Sequence, residues 1–122
     1  MIVAGFGFAS AATVESLRSA LRATGYTGGL SALATADAKC AHPAMHGLAT
    51  TEDLPLAAVD PERLQAADTE TQSDRSRTAH DTGSVAEAAA LATAGPGARL
   101  LAPRAVSEDR LATCAIAERI SP

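Results

Sequence analysis

Residues 2–8 read Ile-Val-Ala-Gly-Phe-Gly-Phe. The run is short and apolar and ends in glycines, which predicts a buried strand leading into a tight turn. From Thr13 to Arg22, Val14, Leu17 and Leu21 share one helical face. Thr13 suits an N-cap, Glu15 falls in the first turn, and Arg18 and Arg22 come later, as the helix dipole favours. Gly25 then stops the helix.

The same alternation continues downstream. Leu30 to Lys39 reads as a second strand, weakened by its alanines. Pro43 to Ala49 reads as a short helix with Pro43 at its first position, leaving His42 as the N-cap. Leu54 to Val59 is a third strand. Asp60-Pro61-Glu62 starts another short helix with Asp60 as its cap. Gln65 to Asp81 is too polar for a core and reads as an exposed excursion, a kind of segment that often carries function. Ser84 to Ala94 has Val85, Ala88, Leu91 and Ala92 at helical spacing, and Gly95-Pro96-Gly97 ends it. Arg99 to Val106 and Leu111 to Ala117 read as two strands joined by the polar turn Ser107–Arg110. Early alternation of strand and helix predicts parallel pairing, and the final hairpin adds antiparallel pairing. The expected fold is a single α/β domain over residues 1–122, with a mixed, mostly parallel sheet flanked by helices.

The chain has 122 residues, 47% of them hydrophobic and only 2% aromatic. Much of the apolar content is alanine, so the core should be thin and aliphatic, built on Leu, Val, Ile and close helix packing. Net charge is -4 and the basic residues are scattered, which argues against nucleic acid as a partner. No apolar stretch approaches the roughly 20 residues a bilayer needs, and the N-terminus lacks the features of a signal peptide. Cys40 and Cys114 read as free thiols of a cytoplasmic protein.

Several groups of residues carry chemistry by type and position. Gly5-Phe6-Gly7-Phe8-Ala9-Ser10 lies between a strand and a helix, where backbone N–H groups can meet an anion. It departs from the dinucleotide fingerprint, since Ser10 stands at the third glycine and no acidic residue follows at the usual distance. A plain tight turn is the favoured explanation, and a nucleotide-binding module is the competing functional reading. Thr82, Gly83 and Ser84 precede a strong helix. There Ser84 and Glu87 have capping-box spacing, and the glycine could also present N–H groups to an anion. Lys39, the only lysine, ends the second strand beside Asp37. Carboxyl ends of strands favour ligands, so Lys39 could bind a carboxylate or donate a proton with Asp37 orienting it. A surface ion pair is the alternative. Cys40, His42 and His46 are metal-ligand types, but the stretch holds no acidic residue and His80 is distant in sequence, so neither metal nor cofactor is expected. Cys114, in a buried strand, should be inert.

The order of these motifs is more specific than any one of them. Val3-Ala4-Gly5-Phe6-Gly7-Phe8, Leu33 to Lys39, Thr82-Gly83-Ser84-Val85-Ala86-Glu87-Ala88-Ala89-Ala90-Leu91 and Leu100-Leu101-Ala102-Pro103-Arg104 together resemble the CobE and CbiG C-terminal family of cobalamin (vitamin B12) biosynthesis. The resemblance spans essentially the whole chain. One departure is Ala9, where relatives are expected to carry Arg or another polar residue, which leaves backbone donors and Lys39. The resemblance implies an α/β domain that binds or carries a corrinoid or precorrin intermediate, with other enzymes of the pathway as further partners. CbiG proteins carry an extra N-terminal region and open a lactone on a cobalt-corrinoid ring. The chain as read begins at the C-terminal-type domain, so the expected type is the stand-alone CobE, with lactone opening by Lys39 and Asp37 as the alternative.

Overall fold

The computed structural model describes residues 1–64 and 82–119. In chain order the elements are β1 (Ile2–Phe8), α1 (Val14–Ala23), β2 (Ala32–Ala36), a 3-10 turn (Asp37–Lys39), α2 (Pro43–Glu52), β3 (Leu56–Val59), α3 (Thr82–Ala94), β4 (Arg99–Val106) and β5 (Ala112–Glu118). The five strands form one sheet in the order β3-β2-β1-β5-β4. β1 pairs in parallel with β2, and β2 with β3, whereas β5 runs antiparallel to both β1 and β4. The chain is therefore α/β with a mixed sheet, as its alternation of elements predicts.

β1 sits at the centre, with Val3 to Phe8 all buried. Its side chains alternate between two unlike faces. Ala4, Phe6 and Phe8 point into a core with Leu17 of α1, Leu33 of β2, Met45 and Leu48 of α2, and Ile116 of β5. Val3 points the other way, into a core with Ala34, Val59, Ala117 and the alanines of α3. Gly5 lies on this second face, directly under α3. A Cβ there would collide with the carbonyl oxygen of Ala86 and stand 2.6 Å from the backbone nitrogen of Ala90. The pattern Gly-Phe-Gly-Phe thus makes one face of β1 deep and the other shallow. The expected thin aliphatic core holds for the α3 face. The opposite face is built around Phe6 and Phe8, the only two phenylalanines of the chain.

β1 spans Ile2–Phe8 as its apolar run predicts, so both glycines are strand residues and the tight turn follows at Ala9–Ala12. There Ala12 N–H donates to the Ala9 carbonyl at 3.0 Å. Strand pairing overrides local glycine propensity, because Gly5 and Gly7 stand opposite Ala115 and Thr113 of β5. Other boundaries shift less. β2 stops at Ala36, and Asp37–Lys39 turn into the 3-10 segment instead of extending the strand. α2 runs on to Glu52 and ends where Asp53 adopts a left-handed conformation. Asp60 caps the helical turn at Pro61 by accepting from Arg63 N–H at 2.8 Å. α3 begins at Thr82, which puts Ser84 inside its first turn instead of at the cap. The polar excursion from Gln65 to Asp81, His80 included, lies outside the described residues.

Candidate functional site

The carboxyl ends of β1 and β2 meet at one edge of the sheet. Beyond Phe8 the chain turns through Ala9, Ser10 and Ala11 into α1. Thr13 caps that helix by accepting from Ser16 N–H at 3.2 Å, and Ser16 Oγ returns the bond to Thr13 N–H at 3.1 Å. Beyond Ala36, the 3-10 turn delivers Lys39 back toward Phe8. The Lys39 Nζ lies 5.4 Å from the centroid of the Phe8 ring, within cation–π range. The His42 ring meets the same phenylalanine edge-on, with centroids 5.1 Å apart. Asp37 is exposed and forms no ion pair with Lys39 among the described residues. The aromatic face, not a carboxylate, holds the lysine.

His42 occupies the N-cap of α2, as its place before Pro43 predicts. Its Nδ1 accepts from Ala44 N–H at 3.1 Å, and its Nε2 lies 2.8 Å from the Ser10 carbonyl oxygen. A carbonyl can only accept, so Nε2 carries the proton. Both ring nitrogens are therefore engaged by backbone groups, and His42 is not presented as a metal ligand. No group of three or more metal-ligating side chains occurs among the described residues. His46 and the half-buried Cys40 line an open concavity with Asp53, Leu54 and Leu56 along α2.

The start of α3 is placed at the same edge. Its alanines pack on Gly5, and Gly95 beyond its end approaches Arg119, whose N–H donates to Met1 O at the far end of the sheet. The helix thus points its amino end, Thr82-Gly83-Ser84, toward the Phe8 end of β1. Side-chain roles for these three residues lie outside the described residues. Two threonines missed at the sequence level steady this end of β1. Thr35 Oγ1 donates to the Phe6 carbonyl at 2.9 Å, and Thr113 Oγ1 donates to the Gly7 carbonyl at 3.2 Å. Both are buried, and their only sequence signal is a hydroxyl within an otherwise apolar strand. On the neighbouring strand, burial pushes the Cys114 thiol well above its usual range, which keeps it protonated.

The β4–β5 turn closes the edge beside α1. Leu111 O accepts from Ala9 N–H at 2.9 Å. Asp109 accepts from Ser107 Oγ and Ser16 Oγ, both at 2.6 Å, and from Leu111 N–H at 3.0 Å. The Ser107 bond first, then the Ser16 bond and the Leu111 N–H, hold its carboxyl below the ordinary value of 3.8. A depressed folded-state pKa stabilises the protein above the unfolded value, and the effect is lost as pH falls through the folded value. Asp109→Asn should therefore lower stability at pH 7. Its deficit against the parent should shrink as the pH is taken below about 4. Urea unfolding of both proteins at pH 7, 4 and 3 checks this, and a deficit that does not change with pH would refute it.

Two solved structures share the whole architecture. A cobalamin biosynthesis protein, chiG, from Agrobacterium tumefaciens str. C58 is 38% identical, with a TM-score of 0.76, over 99% of this chain and 100% of that one. CobE, a protein from the cobalamin (vitamin B12) biosynthetic pathway, is 33% identical with a TM-score of 0.80, over 100% of this chain and 92% of that one. No curated protein matches the chain. Residues 2–117 match the model of the family described as cobalamin synthesis G C-terminus, and the chain belongs to that family as a cobalamin biosynthesis protein of the CobE and CbiG C-terminal type.

Proposed function

We propose that the protein binds a corrin-ring intermediate of cobalamin biosynthesis at the carboxyl edge of β1 and β2. The observation that carries this reading is Lys39 held over Phe8 beside the exposed Ser10 loop, in a chain of this family. Corrin intermediates combine a broad apolar face with carboxylate arms. Lys39 supplies a charge for one arm, and the N–H groups at the starts of α1 and α3 supply partial positive charge for others. Small residues at Ala9 and Ala11 leave room for a flat ring. Binding is preferred to lactone opening by Lys39 and Asp37, because Lys39 lies over the Phe8 ring and forms no ion pair with Asp37 among the described residues.

Titration with cobyrinic acid, a corrin whose carboxylate arms are free, tests the reading. At micromolar protein the visible spectrum of the corrin should shift to a one-to-one end point, and pigment should travel with the protein on gel filtration. An unchanged spectrum and no co-migration would sink the proposal.

A further inference from the structure

We propose that His42 is a positioning residue of this site, a latch that ties the Ser10 loop to the Lys39 loop. The β1–α1 loop has few anchors of its own: Ala9 N–H reaches Leu111 O, and Ala12 N–H closes back on Ala9 O. The Ser10 carbonyl projects from this loop and is taken up by His42, which is 32 residues away along the chain. The second nitrogen of that ring is held by Ala44 N–H in the first turn of α2. Because Nδ1 must accept there, the proton must sit on Nε2, where it serves Ser10. The helix cap therefore sets the tautomer that makes the latch. The same ring packs edge-on against Phe8, whose face carries Lys39. One imidazole thus sets the relative position of the Ser10 backbone, the aromatic platform and the lysine.

The consequence for ligand affinity rests on the corrin-binding reading; the latch itself does not. His42→Asn separates the two jobs of the ring. Asparagine is among the best N-caps and can still accept from Ala44 N–H, but it is too short to reach Ser10 as well. The melting temperature should fall by only about 5 °C, because the cap is kept while one exposed hydrogen bond and one ring contact are lost. Amide exchange at Ala12 should quicken, and cobyrinic acid should bind about tenfold more weakly, the scale of one lost hydrogen bond. In the parent, nitrogen-15 NMR of the His42 ring should show the Nε2-protonated tautomer with or without corrin. An Nδ1-protonated ring would overturn the proposal. So would a His42→Asn protein whose Ala12 exchange is unchanged, or whose corrin affinity is unchanged where the parent binds. If the parent binds no corrin, the binding reading fails, and Ala12 exchange together with the tautomer decides the latch.

Discussion

Gly5→Ala is expected to destabilise the protein by about 3 kcal/mol, the upper part of the range for overpacking a filled core, and to lower Tm by roughly 10 °C. A methyl group at this position meets helix backbone, not the end of a flexible side chain. The Ala86 carbonyl oxygen and the Ala90 nitrogen both stand within contact of the added carbon, as does the Ala90 methyl at 2.9 Å. Relief requires α3 to lift from the sheet. That would open the contacts of Ala89, Ala90 and Leu91 with Val3, Ala34 and Ala117. Removing the neighbouring methyl as well, in Gly5→Ala with Ala90→Gly, should rescue little, because the carbonyl of Ala86 remains. Thermal unfolding of the single and double variants checks this. A Gly5→Ala protein with parental Tm would mean that α3 does not lie against β1 at this distance.

Lys39→Met carries the largest expected effect on ligand binding. The substitution keeps an unbranched apolar stem near Phe8 and removes only the charge. A hydrogen bond to a charged group contributes about 2 kcal/mol, so cobyrinic acid should bind about thirtyfold more weakly. Tm should move by no more than about 2 °C, because Lys39 is only half-buried and forms no ion pair among the described residues. Parental affinity in the methionine variant would show that the corrin sits elsewhere. Weaker binding with a matching loss of Tm would show instead that Lys39 acts through the fold.

Much of the architecture is legible along the chain. Thr13, Asp60 and His42 cap helices where their neighbours Val14, Pro61 and Pro43 announce a helical start. β4 runs from Arg99 to Val106, as its apolar run and bounding turns predict. These signals are local, since caps, prolines and apolar runs act over a few residues. The misread positions depend on partners far away. Gly5 and Gly7 also fit a ligand-binding turn between strand and helix, but both lie inside β1, paired with β5, and α3 covers Gly5. Ser84 reads as a cap, but the helix starts two residues before it.

By itself the sequence determined the α/β class, the mixed sheet and the family. All three are carried by the order and periodicity of elements, which are properties of the chain. Only the tertiary structure decided what the IVAGFGF stretch is for. Gly5 lets α3 approach β1, and the second phenylalanine, Phe8, carries Lys39 and abuts His42. The tie from His42 to Ser10 likewise spans elements, and no spacing within either segment encodes it. Contacts of this kind exist only once the strands are stacked, because they join residues whose separation along the chain says nothing of their distance in space.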